Sequence, residues 1–283
     1  MPASRPPSLS GSVALITGAN TGIGLVTARE LAARGAQVFI ACRSAERAQA
    51  ALAHIRAASG NALVELLPLD LGDFDSVRQC AQTFLARGLP LHLLVNNAGL
   101  AGQRGFTRSG FELAFGVNHM GHFLLTQLLL DRIKASAPAR IVTVASRAHY
   151  RAQRLDWEAL RQPTKSRTGL AEYSVSKLAN VLFSAELAQR LAGSGVTTYA
   201  LHPGVVASEV WRAVPWPLSA LMKLGMIGTE EGAVTSVYCA TAAEITEETG
   251  LYYDRCRVKT PSGVARDATL AAELWKRSEQ WTN

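Results

Sequence analysis

The sequence predicts a single α/β domain with a doubly wound, mostly parallel sheet of about seven strands and helices on both faces. Three observations support this prediction. Short apolar runs alternate with longer segments of helical periodicity, which is typical of βαβ units. The first apolar run leads into a glycine-rich turn at the head of a helix. The 283 residues are 48% hydrophobic and 18% charged, which allows one large core and excludes a disordered chain.

Each predicted strand is a short apolar run, and each predicted helix repeats apolar residues at helical spacing. Ser44 is suited to cap the second helix, and Gly35 to stop the first. No repeat or linker divides the chain, so we predict one domain over residues 1–283. In chain order we predict strand 12–17, helix 24–35, strand 36–42, helix 44–60, strand 62–71, helix 73–88, strand 91–99, helix 110–134, strand 139–146, helix 172–191, strand 196–204 and strand 250–254.

Composition narrows the possible partners and compartments. The net charge of +7 comes from dispersed Lys and Arg residues, so we expect a solvated surface that attracts a phosphorylated cofactor, and no nucleic-acid partner. Residues 1–10 are rich in Pro and Ser and are expected to be disordered, without a signal peptide or membrane anchor. The four cysteines form no C-x-x-C pair, which favours reduced thiols in the cytoplasm over zinc or disulfides.

A glycine-rich turn, TGANTGIG, joins the first strand to the first helix and contains Gly18, Gly22 and Gly24. Small residues there let the backbone approach a pyrophosphate, whose charge the helix N-terminus stabilises. The spacing differs from the general G-x-G-x-x-G fingerprint of dinucleotide sites. The alternative is a tight turn with a purely structural role, but the strand and helix on either side of the turn disfavour this interpretation.

The end of the second strand is expected to meet the adenosine ribose of a dinucleotide. An acidic residue there binds the 2′-hydroxyl of NAD, whereas an arginine accommodates the 2′-phosphate of NADP. The strand ends in ACRS, with Arg43 and no acidic residue before Glu46. This favours NADP(H) over NAD(H), because a guanidinium suits a phosphate. The alternative is a solvated arginine at the start of a helix.

Two further turns follow predicted strands at the same edge of the sheet. Asp70, in LDL, either lines a cofactor site or caps the next helix, and Asp73 and Asp75 compete for the capping role. The motif NNAG, residues 96–99, either lines the cofactor or forms a simple polar turn.

Four other positions carry groups suited to chemistry. Tyr173 and Lys177 are four residues apart at the head of a helix, so they share one face. Asn118 interrupts an apolar helical run, where a buried amide needs partners, so it either bends the helix or has a function. Ser146 ends the fifth strand, at the edge where parallel sheets bind ligands. The turn HPG, residues 202–204, ends the sixth strand.

Together these motifs resemble those of the short-chain dehydrogenase/reductase family, from Ser12 to about Tyr253. The turn matches T-G-x-x-x-G-x-G. The family's catalytic tetrad is matched by Asn118, Ser146, Tyr173 and Lys177. The resemblance implies a Rossmann fold and cofactor contacts from Gly18, Asn20, Thr21, Gly22, Ile23, Gly24, Arg43, Asp70, Leu71, Asn97, Ala98, Gly99, Tyr173, Lys177, Pro203, Gly204, Val206 and Ser208.

The resemblance also implies a role for each member of the tetrad. Tyr173 would be the general acid in carbonyl reduction and the general base in alcohol oxidation. Lys177 would lower the phenol pKa from its usual value of about 10 and bind the nicotinamide ribose. Ser146 would bond the substrate oxygen, and Asn118 would help to hold a water that links Lys177 to solvent.

Several stretches resemble the retinol dehydrogenase branch of this family, among them ACRS, VNHMGHFLLT and SKLANVLFSAEL. This implies a small apolar alcohol or carbonyl substrate of the retinol/retinal type. Residues 205–228, which include Trp211 and Trp216, are expected to form an apolar substrate-binding lid. The alternatives are a helix in the core or against a partner subunit, and a peripheral membrane contact. Ser208 either contacts the nicotinamide amide or caps a helix.

Other functions stay open at this point. A reductase of steroid, quinone or xenobiotic carbonyls is one alternative, and a non-catalytic NADP(H)-binding regulator is another. Similar proteins form homo-oligomers through the two helices at about 110–134 and 172–191. We expect no metal, because His119, His122 and His149 lack a surrounding group of carboxylates.

Overall fold

The computed structural model describes residues 8–204 and 228–283, and these form an α/β domain around one eight-stranded sheet. The strand order is β3-β2-β1-β4-β5-β6-β7-β8, with parallel pairs throughout except for antiparallel β7 and β8. The strands are β1 Val13–Thr17, β2 Gln37–Cys42, β3 Val64–Pro68, β4 Leu93–Asn96, β5 Ala139–Val144, β6 Val196–His202, β7 Leu251–Asp254 and β8 Arg257–Val258.

The α/β fold class predicted from the sequence is confirmed, but the predicted number of about seven strands is one too low. The missed strand, β8, has two exposed residues and, among the described residues, pairs with the end of β7. A strand of that length has no room for a hydrophobic period, so its sequence carries no strand signal.

The helices are α1 Gly22–Ala33, α2 Ala45–Ser59, α3 Phe74–Leu85, α4 Leu113–Phe115, α5 Gly121–Lys134, α6 Leu170–Arg190, α7 Thr229–Thr241 and α8 Ala268–Thr282. Ser44 caps α2 as predicted, since its Oγ accepts a hydrogen bond from the Arg47 N–H. The sequence patterns above predict neither α7 nor α8.

Helices cover both faces of the sheet, and each face has its own apolar core. The strand order reverses between β1 and β4, because β1 pairs with β2 on one side and with β4 on the other. In open parallel sheets such a reversal leaves a crevice at the carboxyl ends of the strands. The glycine-rich turn, the NNAG turn and Ser146 all follow strands at that edge.

The predicted helix at 110–134 is interrupted by a wider helical turn. Regular helix begins at Leu113, a π-helical segment covers Gly116–Met120, and α5 continues from Gly121. A Cβ on Gly121 would lie 2.3 Å from the carbonyl oxygen of Leu71, so this helix passes very close to the turn after β3. Segments of π-helix are frequent at functional sites, and this one contains Asn118.

The C-terminal helix α8 packs against α6 and α5, the helix pair expected to mediate a homo-oligomer. The Trp275 ring stacks on Phe183 with centroids 5.8 Å apart, and it meets the edge of Phe123 at 5.1 Å. The Arg190 guanidinium lies 4.4 Å from the Trp275 ring centroid. The chain itself therefore occupies part of the surface of these two helices.

Two predictions fall outside the part of the chain that the structure describes. The predicted lid at 205–228 is described only at Gly228, and the predicted disordered segment at 1–10 only from Ser8 onward. Leu9 packs against the core and donates a backbone hydrogen bond to the Arg34 carbonyl, at 2.8 Å. Within the described ranges, every helix is too short or too polar to cross a membrane.

Candidate active site

A cavity of about 680 Å³ opens at the carboxyl edge of the sheet, on the crevice between β1 and β4. It is lined by every predicted cofactor-contact residue that the structure describes, and also by Ser146. The remaining two, Val206 and Ser208, lie outside the described residues. Asn118 lies behind the wall of the cavity rather than in it.

The glycine-rich turn packs tightly against the NNAG turn. Gly18 has a φ of +67°, and a Cβ there would lie 2.8 Å from the Ala98 Cα. A Cβ on Gly24 would lie 2.4 Å from the Asn97 side-chain amide and 2.7 Å from the Gly18 carbonyl. Both positions therefore require glycine for packing alone. The close approach also turns the N-terminus of α1 toward the cavity, where its free N–H groups favour an anion.

Hydrogen bonds hold these two turns together. The Thr17 hydroxyl accepts from the backbone N–H groups of Asn97 at 2.9 Å and Ala98 at 3.0 Å. In return, the Asn97 side-chain amide donates to the Thr17 carbonyl at 2.8 Å. NNAG is therefore more than a simple polar turn, since it fixes the position of the glycine-rich turn.

The alternative in which Asp70 caps the next helix is wrong. Asp73 is the N-cap of α3, and its carboxylate accepts from the Asp75 N–H. The Asp70 carboxylate accepts from the Gly72 N–H at 2.9 Å and lines the cavity. It is thereby held at the cavity wall beyond β3.

A second arginine joins Arg43 beyond β2. Arg47 also lines the cavity, and both side chains are exposed. Within the described ranges neither guanidinium is ion-paired to a carboxylate. Arg47 is not among the predicted site residues, although its spacing of four residues from Arg43 at the start of a helix points to the same site.

Tyr173 and Lys177 meet at the other end of the cavity and are 8% and 3% exposed. The Lys177 Nζ lies 5.7 Å from the centroid of the Tyr173 ring and donates to the Val144 carbonyl at 2.7 Å. Tyr173 also forms a side-chain hydrogen bond with Ser146. The fold therefore brings these three predicted residues together from the turn after β5 and from α6.

The pKa of Tyr173 differs from the sequence-based expectation. Burial raises it above its ordinary value, and the hydrogen bond with Ser146 offsets only part of that rise. Burial also lowers the pKa of Lys177 to about 7. At neutral pH the ammonium is thus only partly charged, which weakens the cation that was expected to acidify the phenol.

Asn118 is fully buried and bridges three segments. Its Oδ1 accepts from the Leu100 N–H at 2.9 Å, while its Nδ2 donates to the Leu100 carbonyl at 3.0 Å and to the Ser176 Oγ at 2.9 Å. Both amide hydrogens are therefore already used within the protein. The side chain ties the loop after β4 to α6, next to Lys177.

The three histidines flagged in the sequence are all buried and bonded to protein groups. His149 contacts the Ser146 carbonyl at 2.7 Å and accepts from the Ser262 N–H, so it supports the Ser146 turn. His122 contacts Thr17 and Asn118. His119 sits among aromatic rings, 5.1 Å from Phe115 between centroids. Across the described ranges, no three His, Cys, Asp or Glu residues are grouped to hold a metal.

Two residues beside the reacting end of the cavity are absent from the sequence-based predictions, and a third, His202, belongs to the predicted HPG turn. Arg147 and Arg151 lie on the 3-10 turn that follows Ser146, and both are exposed and line the cavity. His202 lines it as well, and its Nε2 is buried without a hydrogen-bond partner in the described part of the chain. Arg147 directly follows Ser146, and that adjacency was the available signal.

Fold and site together define a class of protein. A glycine-rich turn at the reversal of a parallel sheet accommodates a dinucleotide, and a serine, a tyrosine and a lysine converge where its nicotinamide end would lie. These are the features of an oxidoreductase that uses a nicotinamide dinucleotide.

Comparison with known proteins gives the family. A model described as short chain dehydrogenase matches residues 12–156. Human retinol dehydrogenase 12 is 47% identical over 277 residues, covering 95% of this chain and 86% of that protein. The chain belongs to the short-chain dehydrogenase/reductase family, and its predicted likeness to retinol dehydrogenases is confirmed.

Solved structures agree with this assignment. The crystal structure of an uncharacterized protein from Mycobacterium paratuberculosis has a TM-score of 0.78 at 36% identity, covering 99% of this chain and 96% of that one. The RhlG/NADP active-site complex from Pseudomonas aeruginosa has a TM-score of 0.70 at 27% identity, covering 91% and 98% of the two chains. The family model and the retinol dehydrogenase relatives confirm the prediction of an oxidoreductase enzyme.

Proposed function

We propose that this protein is an NADP(H)-dependent oxidoreductase that interconverts an apolar alcohol and its aldehyde or ketone, of the retinol/retinal type. The observation that carries the proposal is the convergence of Ser146, Tyr173 and Lys177 in one cavity with the glycine-rich turn and Arg43. The residues present fit a dinucleotide, because the turn has no room for side chains and a helix N-terminus faces the cavity.

The proposed chemistry divides between cofactor and protein. When bound, the nicotinamide supplies or takes the hydride. Tyr173 donates its phenolic proton to the carbonyl oxygen during reduction and takes a proton from the alcohol during oxidation. Burial raises the pKa of Tyr173, so the phenol is protonated at neutral pH and its proton is available to the carbonyl oxygen. Ser146 bonds the same oxygen, and Lys177 holds the ribose and, when protonated, stabilises the phenolate that remains after Tyr173 has donated its proton.

The preference for NADP(H) is supported by the charges beyond β2. Arg43 and Arg47 line the cavity there, whereas Glu46 does not. Two guanidiniums suit the 2′-phosphate of NADP, and the ribose of NAD offers them no anion. The complex of RhlG with NADP is consistent with this preference.

Replacing either arginine is expected to remove selectivity for NADPH. In Arg43→Ala and Arg47→Ala, kcat/KM with NADPH should fall about tenfold or more, because a charge-assisted hydrogen bond is lost. The value with NADH should stay the same. Arg154→Ala is the control, since it removes one exposed positive charge away from the cavity. Equal rates of the wild type with NADPH and NADH would contradict the role of both arginines.

The substrate class is supported by likeness to human retinol dehydrogenase 12, together with the apolar side chains of Leu100, Ala145 and Leu170 in the cavity wall. Arg147 and Arg151 favour a second candidate, in which the apolar carbonyl compound ends in an acidic group. They follow β5, at the nicotinamide end, where the cofactor has no phosphates for them to bind.

A screen of NADPH oxidation tests both substrate candidates and the alternatives. The substrates are retinal, medium-chain aldehydes with and without a terminal carboxylate, steroid ketones and quinones. Preference for retinal and the neutral aldehydes supports the first candidate, and preference for the carboxylates supports the second. NADPH binding without turnover of any substrate would overturn the enzyme proposal in favour of a regulatory protein.

We also place the protein in the cytoplasm as part of this proposal. Its four cysteines, all in described parts of the chain, are free, and three of them are buried. Free thiols suit a reducing compartment. Recovery of the protein in a membrane or secreted fraction after cell fractionation would contradict this placement.

A further inference from the structure

His122 lies between α6, the helix that carries Tyr173, and the cofactor turns, which are the glycine-rich turn (residues 17–24) and the NNAG turn (residues 96–99). The chemistry proposed above does not use it. The residue stands on the first turn of α5 and is 2% exposed. Its Nε2 lies 2.8 Å from the Thr17 Oγ1, and its Nδ1 lies 3.0 Å from the backbone carbonyl oxygen of Asn118. Both ring nitrogens are thus bonded to groups that belong to the site.

The bonding partners determine which ring nitrogen carries the hydrogen. A carbonyl oxygen can only accept, so Nδ1 donates to Asn118. The Thr17 hydroxyl already accepts two backbone N–H groups, which leaves its single hydrogen to donate. That hydrogen has a nearby acceptor in Nε2, while the Val95 carbonyl is farther away at 3.4 Å. His122 is therefore neutral, with its hydrogen on Nδ1.

Electrostatics agrees with this assignment. Burial lowers the pKa of His122 to about 4, and the charge on Lys177 acts in the same direction. A protonated ring would also place a second N–H against the Thr17 hydroxyl, whose lone pairs are already occupied. The ring thus stays neutral through the physiological range of pH.

We propose that His122 is a positioning residue that fixes the position of the cofactor turns relative to the catalytic tyrosine. The inference rests on the proposed function. Hydrogen bonds link Thr17 to His122 and His122 to the backbone carbonyl of Asn118. The side-chain amide of the same Asn118 donates to the Ser176 Oγ, which in turn donates to the Tyr173 carbonyl at 2.8 Å. One end of this chain is the residue before Gly18, and the other is the helix that carries the proton donor.

Two substitutions each remove one of the two hydrogen bonds of the His122 ring and keep the other. Asn in His122→Asn reaches about as far as Nδ1, so it keeps the bond to Asn118 and loses Thr17. Gln in His122→Gln reaches about as far as Nε2, so it keeps an acceptor for Thr17 and loses Asn118. A residue that only fills space would not distinguish these variants, because each leaves a similar polar side chain at the same buried position.

We expect one variant to change mainly the KM for NADPH and the other to change mainly kcat. Loss of the Thr17 bond loosens the cofactor turns, so His122→Asn should raise the KM for NADPH about tenfold and change kcat little. Loss of the Asn118 bond displaces the Tyr173 helix, so His122→Gln should lower kcat about tenfold and change KM little. The same direction and size of change in both variants would overturn the proposal.

His119→Asn is the matched control. His119 is also buried and lies one turn earlier, but it contacts aromatic rings and Ser278 rather than the cofactor turns. This variant should lower the melting temperature without separating KM from kcat. A separation as large as that of the His122 variants would also overturn the proposal.

The tautomer gives a readout that depends neither on catalysis nor on the folding of a variant. In ¹⁵N NMR spectra of the wild-type protein, the Nδ1 of His122 should resonate as protonated and the Nε2 as unprotonated at neutral pH. The reverse pattern, or a charged ring, would overturn the inference even if the enzyme proposal holds. If no substrate is turned over, NADPH affinity measured by fluorescence still tests His122→Asn against His122→Gln.

Discussion

Tyr173→Phe is expected to lose about a thousandfold in kcat, because the substitution removes the phenolic proton and little else. The ring should still fill its site, since Tyr173 is 8% exposed and packed in the wall of the cavity. Burial raises the pKa of the tyrosine, so it is protonated at neutral pH, whereas phenylalanine has no proton to give. NADPH consumption with the best substrate of the screen measures the effect.

NADPH binding should survive in Tyr173→Phe, since the variant keeps the glycine-rich turn and Arg43, proposed to bind the phosphates, and Lys177, proposed to hold the ribose. Fluorescence titration of the variant checks this. Tyr199→Phe is the matched control, because Tyr199 is buried on β6, away from the cavity, and bonds to Thr197 and Ile245. That control should lose stability and keep its turnover. Wild-type turnover by Tyr173→Phe would eliminate the proposed proton donor.

Lys177→Met is expected to lose activity and gain stability. The ammonium is 3% exposed, and burial lowers its pKa to about 7, so the fold opposes its charge. Methionine fills a similar volume without that charge, so the melting temperature at neutral pH should rise. Turnover should fall about a hundredfold, because the group expected to hold the ribose and support the phenol is gone.

The pH dependence of the wild type follows from the same group. Lys177 is charged below its pKa of about 7 and neutral above it. If the charge is needed to bind the cofactor, kcat/KM for NADPH falls as the pH rises through 7, since this ratio reports on the free enzyme. In the unfolded chain the pKa of Lys177 is near 10.4. Burial of the charged amine therefore destabilises the folded protein most below pH 7, and this destabilisation fades as the pH rises toward about 10.4.

Lys134→Met is the control for the loss of one lysine, because this side chain is exposed at the end of α5. It should change neither the melting temperature nor kcat/KM appreciably. A flat pH profile in the wild type, or a Lys177→Met protein with full turnover, would contradict the role proposed for this amine.

Local signals predicted much of the fold. Short apolar runs identified the first seven strands, and Ser44 identified the cap of α2, because both depend on neighbours in sequence. The same signals did not identify α7 and α8, or the π-helical segment around Asn118. That segment ends where Gly121 passes close to Leu71, a contact between residues far apart in the chain.

Asp70 and Arg47 show the same limit within the site. Three aspartates competed for one N-cap, and only the path of the chain after β3 assigned that role to Asp73. Arg47 is unremarkable in sequence, and it became a candidate only once α2 carried it to the wall of the cavity.

By itself, the sequence determined the fold class, the glycine-rich turn, the tyrosine–lysine pair and the family, since each depends on residue types at fixed spacing. Only the tertiary structure decided the direction in which the pKa values of Tyr173 and Lys177 shift, and the hydrogen-bond network around His122. Burial controls the pKa values of Tyr173, Lys177 and His122, and burial is set by segments that meet only when the chain folds.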